Sequence, residues 1–369
     1  MIGYSTDKGG VEAYIKNISS QLEDKYEIIL HWPTMSIDGK EWVVPANRHN
    51  YIKYQQFWRK FFHENKFDVI YYNTCDIVSI DLLKFAKDAD VPVRIIHSHN
   101  TGNQVVAGGI LGWFHKWQER NSRKNLHKYA TDLLACSKTA GDWMFDGRPY
   151  TIIKNGIDIS RYVYSGTKRQ NVLGSLKNAA GKVVACLGRL DRQKNPFMSL
   201  SIFTVLCQKD RDTQCLFIGD GEYRTELEAK VQALGLRHRI IFTGGVDNVN
   251  EWLSYINCLL MPSFFEGLPF ALVEAQAAGI RCLVSNTVSQ EANITGLVEY
   301  KSLNAPVEEW TDRLLELASM PRVDVSESLI SAGYSITNTA VTIEKIINQG
   351  LKVCKISVLL ALPTPQYYF

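Results

Sequence analysis

NCLLMPSFFEGLPFALVEAQAAGIRCLVS, residues 257–285, decides the fold of this chain because it has the pattern of a strand, a loop, a helix and a second strand. Cys258–Met261 is a short apolar run, and Pro269 stands where proline is well tolerated, at the first position of a helix. The helix is predicted to run to about Ala278, and Gly279 closes it. A strand, helix and strand in this order are the repeating unit of a parallel α/β sheet.

Two glutamates stand near the start of this helix, Glu266 in the loop and Glu274 in the second helical turn. Ligands of a parallel α/β sheet bind in the crevice beyond the carboxyl ends of the strands, which is the side where both glutamates lie. The helix start offers free N–H groups to an anion such as a diphosphate, and a carboxylate can accept hydrogen bonds from both ribose hydroxyls. The pair therefore predicts a nucleoside diphosphate ligand. The alternative is two solvated surface carboxylates.

The motif P-S-x-x-E-G-L-P-x-x-x-x-E-A at residues 262–275 resembles the donor-site motif of the retaining GT-B glycosyltransferases of the large family-four group, of the bacterial capsular and exopolysaccharide type. The resemblance implies an α/β GT-B fold, in which two Rossmann-like domains with parallel sheets face a central cleft. It also implies that Glu274 holds the ribose of a nucleotide diphosphate sugar and that Glu266 contacts the transferred sugar. The residues between them would bind the donor as well: Gly267, Leu268 and Pro269.

Length and composition fit a two-domain globular protein. The chain has 369 residues, which is too long for one ordinary core. Apolar residues make up 46% and charged residues 21%, which is ordinary for a globular protein. A net charge of +3 does not suggest a nucleic-acid partner. The eight cysteines form no CxxC pair and indicate buried thiols in a reducing compartment. The sequence has no signal peptide before the first helix and no apolar run near the ~20 residues that span a bilayer. It therefore predicts a cytoplasmic protein. Peripheral association with the inner face of the plasma membrane stays open.

Strand and helix patterns alternate along the chain in two successive halves. Strong apolar strands, such as residues 67–73, alternate with helices and predict right-handed βαβ units. A linker rich in Ser, Gly and Lys, about residues 165–181, precedes a second round of alternation. We predict an N-terminal Rossmann-like domain over residues 1–165 and a C-terminal one over residues 166–350, to which the resemblance assigns the acceptor and the donor, respectively.

Both ends of the chain depart from the family pattern. A central first strand is expected before the loop STDKGG, yet only residues 1–4 precede that loop, so the strand is either a stub or begins upstream of Met1. Residues 351–369, LKVCKISVLLALPTPQYYF, form an apolar tail that does not continue the preceding helix. The sequence gives this tail no role.

Two cations, Arg189 and Lys194, lie in the loop that follows the first strand of the second half. They could converge on a diphosphate and offset the charge of the leaving group in place of a metal ion. The resemblance assigns them this catalytic role, and it implies a UDP-linked sugar as substrate with no metal and no other cofactor. Solvated loop cations are the alternative.

Gly219 and Gly221 follow a further strand and look like half of a dinucleotide-binding fingerprint. The third glycine of that fingerprint is missing, since Arg224 occupies its place, so the signal for a dinucleotide is weak. The resemblance places this G-D-G turn at the rim of the donor pocket. A plain tight turn is the other interpretation.

The sequence HSHN at residues 97–100 closes a predicted strand of the first half. Histidines at the carboxyl end of a parallel strand point into the crevice and can donate to a sugar hydroxyl. The resemblance places a donor-sugar contact here, which we assign to His99 first and to His97 second. A metal site is the competing interpretation, although no other residues have ligand spacing. Gly9 and Gly10 form a nest-like loop, where the family brings donor phosphate and acceptor close together.

Residues 113–128 combine three aromatic side chains with five cations and a single acid in one helical pattern. A core stripe with a solvated back face would account for the pattern. A helix that lies on an anionic membrane surface would account for it equally well. Both interpretations stay open.

These observations predict a metal-independent glycosyltransferase of the hexosyltransferase type. It would move a sugar from a nucleotide diphosphate sugar, with retention, to a hydroxyl of a glycan or lipid-linked glycan, and its place in surface polysaccharide biosynthesis rests on family analogy. Two alternatives remain, a nucleotide-sugar epimerase of the same fold and a non-catalytic sugar-nucleotide-binding protein. The sequence does not indicate which sugar, base or acceptor is used.

Overall fold

The chain divides into two compact units in the computed structural model. The first unit contains Met1–Gly156 together with Ile336–Phe369, and the second contains Ile157–Ser335. This division differs from the predicted ranges, since the first unit ends at Gly156 rather than at residue 165 and the chain returns to it at Ile336. The structure describes residues 10–30, 34–37, 40–43, 51–100, 109–168, 181–266, 268–351 and 357–361.

Helices and strands alternate through both units. The described elements up to residue 156 are α1 (Gly10–Leu22), β1 (Glu27–Leu30), β2 (Thr34–Ile37), β3 (Lys40–Val43), α2 (Tyr51–Glu64), β4 (Val69–Thr74), α3 (Asp81–Asp88), β5 (Val93–Ser98), α4 (Gly109–Asn125), β6 (Asp132–Ala135), α5 (Lys138–Phe145) and β7 (Thr151–Ile152). Those of the second unit are α6 (Ile159–Tyr162), β8 (Val183–Leu187), α7 (Pro196–Lys209), β9 (Gln214–Ile218), α8 (Arg224–Ala233), β10 (Ile240–Gly244), α9 (Val249–Tyr255), β11 (Cys258–Met261), α10 (Phe270–Ala277), β12 (Arg281–Ser285), β13 (Val298–Lys301), α11 (Val307–Ser319) and α12 (Ser326–Ser331). The chain then adds α13 (Ile336–Gly350) and β14 (Ser357–Ala361) to the first unit.

The first unit is built on a six-stranded parallel sheet in the order β1-β14-β4-β5-β6-β7. All six residues of β4 are buried, as expected for a parallel strand with both faces covered. Helix α2 packs an aromatic cluster that includes Trp58 and Phe61 against this sheet. Helix α13 packs against α1. The strands β2 and β3 form a separate antiparallel hairpin that was not predicted.

Strand β14 comes from the apolar tail at residues 351–369, which had no predicted role. It lies between β1 and β4 and runs parallel to both, with Ser357 opposite Glu27 and Val358 opposite Val69. Without β14, a gap one strand wide would separate β1 from β4. The tail therefore supplies an interior strand of the sheet. The strand expected from residues 1–4 lies outside the described residues.

Helix α4 places its aromatic side chains in solvent. The exposed fractions are 68% for Trp113, 45% for Phe114 and 51% for Trp117, so the core-stripe interpretation is wrong for these residues. Ser122, on the opposite side of the helix, is buried and donates to the carbonyl of Val78. Within the described residues, no helix is long and apolar enough to cross a membrane.

The second unit has a six-stranded parallel sheet in the order β10-β9-β8-β11-β12-β13. The chain builds outward from β8 through β9 to β10, and then returns to the other side of β8 to place β11. The strand order thus reverses between β8 and β11. Adjacent loops leave the sheet there in opposite directions and open a crevice at the carboxyl ends of the strands.

Removal of β14 should destabilise the first unit. A chain that ends at Gly350 would leave β1 and β4 with unpaired backbone groups inside the sheet, and each such group costs about 1–3 kcal/mol when buried. We expect urea unfolding, followed by circular dichroism, to occur at a clearly lower urea concentration than in the full chain. A chain lacking only residues 363–369 keeps all of β14 and is the matched control. Identical unfolding of the two shortened chains would contradict the placement of this strand.

Candidate functional site

A small, half-open cavity of about 20 Å³ lies at the reversal of strand order in the second unit. The loop after β8 lines it with Gly188, Arg189 and Lys194, and the loop after β11 lines it with Pro262 and Ser263. The cavity thus occupies the place where open α/β sheets bind their ligands. Both cations predicted from the sequence line it.

The G-D-G turn packs directly against the loop after β8. A Cβ atom on Gly219 would lie 2.0 Å from the Gly188 carbonyl oxygen, and one on Gly221 would lie 2.6 Å from the Leu190 nitrogen. The N–H of Leu190 donates to the carbonyl of Asp220 at 2.9 Å. Close backbone approach therefore explains both glycines, and the turn supports the loop that carries the cations.

Lys194 and Glu266 form an ion pair across the cavity loops. Lys194 Nζ lies 2.6 Å from Glu266 Oε1, and the exposed fractions of the two side chains are 19% and 7%. A nearly buried carboxylate needs a compensating charge, and Lys194 supplies it.

Two hydrogen bonds at Gln193, one from the backbone and one from its side chain, join the same two loops beside this ion pair. The N–H of Phe264 donates to the Gln193 carbonyl at 2.9 Å, and Gln193 Nε2 donates to the Phe265 carbonyl at 3.2 Å. On its far side, the carbonyl of Glu266 accepts from the N–H of Ser289 at 3.3 Å. The position of Glu266 is therefore set by three segments of the second unit.

Arg189 differs from Lys194 in its surroundings. Half of its side chain is exposed, and Nη2 lies 3.2 Å from Asp191 Oδ2. Asp191 Oδ1 accepts from the backbone N–H of Lys194 at 3.1 Å, so Asp191 shapes the loop that carries both cations. Sequence reasoning had given Asp191 no role. Arg189 stands at the rim of the cavity, whereas Lys194 points inward.

Glu274 is held by a residue that the sequence analysis missed. Tyr162 donates its hydroxyl to Glu274 Oε1 at 2.7 Å. Burial raises the pKa of Glu274, while the Tyr162 hydrogen bond and the charge of Arg161 oppose the rise. Burial, and next the charge of Glu274, raise the pKa of Tyr162 well above its usual value. Tyr162 therefore remains a proton donor at neutral pH.

The start of α10 is close to its predicted position. The helix begins at Phe270, and Pro269 is the residue before it rather than the first helical residue. No side chain caps this helix start. Leu268 is partly buried and packs against the core beneath the loop. Gly267 lies outside the described residues.

Ser263 is a second site residue that the sequence analysis missed. Its side chain is fully buried, it lines the cavity, and its hydroxyl has no hydrogen-bond partner among the described residues. Buried hydroxyls are rarely left unpaired, so this one is suited to a polar ligand atom or a water molecule. The sequence signal that could have identified Ser263 was its position in the motif, directly after Pro262.

The two predicted histidines lie together in the first unit. The rings of His97 and His99 are 4.1 Å apart, and Tyr14, one turn after Gly10 in α1, contacts both rings. His97 is fully buried, and its Nδ1 lies 2.7 Å from the hydroxyl of Tyr71. His99 is partly exposed. Of the two, His99 is the one that a ligand of this unit can reach.

His99 is neutral and engaged at both ring nitrogens. Its Nδ1 lies 3.0 Å from Asn155 Oδ1 and its Nε2 lies 2.9 Å from Asn73 Oδ1. Burial lowers its pKa to about 3. Because a neutral imidazole carries one N–H, one of the two asparagines must present its NH₂ group to the ring. A ligand that bonds to His99 would therefore exchange with an asparagine.

Metal ligands do not gather in the parts of the chain described above. No group of three or more His, Cys, Asp and Glu side chains there has a placement that could hold an ion. The seven cysteines among those residues form no disulfide.

Comparison with known proteins identifies the class. Residues 8–161 match the family model described as Glycosyltransferase Family 4, and residues 169–333 match the one described as Glycosyl transferases group 1. The crystal structure of Anabaena Alr3699/HepE in complex with UDP-glucose has the same fold, with a TM-score of 0.70 at 16% identity over 94% of this chain and 98% of that one. Fold and family matches together define a GT-B glycosyltransferase.

The chain belongs to the glycosyltransferases of group 1 and family 4. EpsF of Bacillus subtilis (strain 168), which is classed as a glycosyltransferase, is 26% identical over 89% of this chain and 90% of its own length. The UDP-Gal:alpha-D-GlcNAc-diphosphoundecaprenol alpha-1,3-galactosyltransferase of Escherichia coli is 24% identical over 62% of this chain and 60% of its own length. These relatives support a role in polysaccharide or glycolipid biosynthesis.

The ion pair at the cavity leads to a test by double substitution. Lys194→Gln leaves the carboxylate of Glu266 nearly buried and uncompensated, so we expect it to lower the free energy of unfolding by about 1–3 kcal/mol. Adding Glu266→Gln removes the stranded charge and should restore most of the stability. Catalytic activity should be lost in both variants. Urea unfolding and a transfer assay check this, and a double variant no more stable than Lys194→Gln would show that the two side chains are not coupled.

Proposed function

We propose that this glycosyltransferase uses a UDP-linked sugar, without a metal ion, and transfers the sugar with retention to a hydroxyl of a lipid-linked glycan in surface polysaccharide biosynthesis. The observation that carries the proposal is the inward-facing Lys194 beside Glu266, with Arg189 at the rim of the same cavity. The Escherichia coli relative is named for UDP-galactose and a diphosphoundecaprenol-linked acceptor, and the Anabaena relative was solved with UDP-glucose.

Each site residue has a proposed role in the reaction. Arg189 and Lys194 bind the diphosphate and stabilise its charge as the bond from the anomeric carbon to the phosphate oxygen breaks. Lys194 would then exchange Glu266 for phosphate, which frees the carboxylate of Glu266 for the hydroxyls of the transferred sugar. Glu274 accepts from the ribose hydroxyls. In the first unit, His99 is proposed to contact the sugar as a neutral hydrogen-bonding group.

The remaining residues of the predicted site have supporting roles in this proposal. Gly219 and Gly221 keep the turn close enough to support the cation loop. Leu268, Pro269 and Gly267 are proposed to line the donor site at the start of α10. Buried His97 is proposed to orient the ring of His99, which it contacts. Gly10 begins helix α1, which carries Tyr14.

The test is donor binding and transfer with a panel of UDP-sugars. A thermal-shift screen selects the donor, and radiolabelled sugar is then followed into an undecaprenyl diphosphate-linked saccharide with and without EDTA. We expect transfer to be unchanged by EDTA, because Arg189 and Lys194 supply the positive charge. Glu274→Gln should weaken UDP binding about 10- to 100-fold, the equivalent of a charge-assisted hydrogen bond of roughly 1.5–3 kcal/mol. Glu226→Gln, at an exposed position of α8, is the control.

Three results would contradict parts of this proposal. Strict dependence on Mg²⁺ would exclude the role given to the two cations. Conversion of the UDP-sugar to its epimer without acceptor would favour an epimerase. Binding of UDP with no turnover of any donor and acceptor pair would favour a sugar-nucleotide-binding protein.

We also propose that α4 docks the enzyme on the anionic membrane that holds the acceptor. Phe114 and Trp117 stack at 5.8 Å on the exposed side of the helix, and Trp113 lies one turn before Trp117. Lys116, Arg120 and Lys124 recur at helical spacing and are all exposed. Aromatic side chains beside cations are typical of helices that lie in the membrane interface.

Replacement of Lys116, Arg120 and Lys124 with glutamine tests this surface. Each cation near an anionic leaflet contributes about 1 kcal/mol, so the triple variant should bind vesicles of anionic lipid on the order of 100-fold more weakly at low salt. Arg123 is left unchanged because its guanidinium lies 5.1 Å from the ring of Trp143. Co-sedimentation with vesicles measures the effect, and donor binding should not change.

The matched control removes three exposed cations from the second unit: Arg211, Lys230 and Arg237. It alters the net charge equally but leaves α4 intact. If both triple variants lose vesicle binding to the same extent, the attraction of the protein to anionic vesicles depends on its net charge, and α4 is not the docking surface. Failure of the wild-type chain to bind anionic vesicles at low salt would exclude docking altogether.

A further inference from the structure

We propose that Tyr162 is a positioning residue that fixes the carboxylate of Glu274 for the ribose of the donor, an inference that rests on the donor role proposed for Glu274. The contact is the 2.7 Å hydrogen bond from the Tyr162 hydroxyl to Glu274 Oε1. It joins residues of two helices, α6 and α10, that are far apart in the chain.

The packing of α6 against α10 sets the position of Tyr162. Ile159, at the start of α6, is buried in a cluster with Val273 and Ala277, which flank Glu274 on α10. The Tyr162 ring is partly buried and packs against this cluster and against the main core of the unit. The aromatic ring is thus fixed on two sides, and the hydroxyl is carried to Glu274 without a flexible side chain.

The hydrogen bond leaves most of the carboxylate available to a ligand. An ionised carboxylate has about four acceptor positions, and Tyr162 occupies one of them. Among the described residues, no protein group donates to Glu274 Oε2. Because Tyr162 already holds the side chain in one orientation, less conformational freedom is lost when ribose hydroxyls bind.

Tyr162 also favours the ionised form of Glu274. Burial raises the pKa of Glu274, and the hydrogen bond from Tyr162 is the larger of the two effects that oppose this rise, the other being the charge of Arg161. Asp158 is the remaining charged group near the Tyr162 hydroxyl. The tyrosine therefore orients the acceptor and opposes the rise in the pKa of Glu274 that burial causes.

The experiment compares UDP with 2′,3′-dideoxy-UDP as probes for the wild type and Tyr162→Phe. The phenylalanine keeps the ring and its packing but cannot donate. We expect UDP affinity, measured by titration calorimetry, to fall roughly three- to tenfold, because one hydrogen bond is lost. Affinity for the dideoxy probe, which has no ribose hydroxyls to bind, should be the same in both proteins. In turnover, the KM for the donor should rise and kcat should change little.

A second measurement uses pH. Without the hydroxyl, the pKa of Glu274 rises further, so UDP affinity in Tyr162→Phe should decline at a higher pH during acidification than in the wild type. Tyr255→Phe is the control, because Tyr255 is a buried tyrosine of the same unit whose hydroxyl donates to Gln214 Oε1 at 3.3 Å rather than to Glu274. This control should bind both probes as the wild type does.

Other outcomes overturn the proposal in distinguishable ways. Unchanged UDP affinity in Tyr162→Phe, or an equal loss for both probes, would show that the tyrosine does not act through the ribose contact. Identical pH dependence of the two proteins would exclude its effect on the charge of Glu274. Absence of UDP binding by the wild type would contradict the proposed function itself, and this inference would fail with it.

Discussion

The ion pair between Lys194 and Glu266 is the interaction on which the site of the second unit depends. It joins the loop after β8 to the loop after β11 at the point where the strand order reverses. Burying a carboxylate that is only 7% exposed is costly unless a cation lies beside it, and the cation that does so, Lys194, lines the cavity proposed to bind a diphosphate. The two charges that the proposed reaction uses therefore also join the two loops to each other.

The rest of the cavity wall is arranged around this pair. A backbone and a side-chain hydrogen bond at Gln193 join the two loops beside it, and Asp191 fixes the turn that carries Lys194. The absence of side chains at Gly219 and Gly221 allows the neighbouring turn to support the loop from behind. Preorganised charge of this kind needs no large rearrangement when the leaving group develops its own charge.

Much of this arrangement could be predicted from local sequence. The alternation of strands and helices and the loops that carry Arg189, Lys194 and Glu266 follow from patterns within about 30 residues. The GT-B class followed from the resemblance of the motif at residues 262–275 to a known family. The contact between Tyr162 and Glu274 could not be predicted, because it depends on how α6 packs on α10 and no spacing in the sequence links the two residues. Secondary-structure patterns describe segments, whereas packing decides which distant segments meet.

Two other features show the same limit. The apolar pattern of residues 357–361 allowed a strand, but only the pairing with β1 and β4 shows that the sheet has a position for it. The aromatic side chains of α4 were compatible with a core or a surface, and their exposure decided between the two. Periodicity predicts that a face is apolar, and it does not predict what covers that face.

The position of β14 also affects the order in which the protein folds during synthesis. The second unit is a continuous segment, Ile157–Ser335, so all of its strands have been translated before β14 is made. The sheet of the first unit, by contrast, pairs Glu27 with Ser357, so its interior cannot close until Ser357 has left the ribosome. Such non-local pairing is slow to form and leaves strand edges exposed in the meantime. We therefore expect the sheet of the first unit to close after that of the second, and its strands to be exposed to aggregation or to chaperones in the meantime.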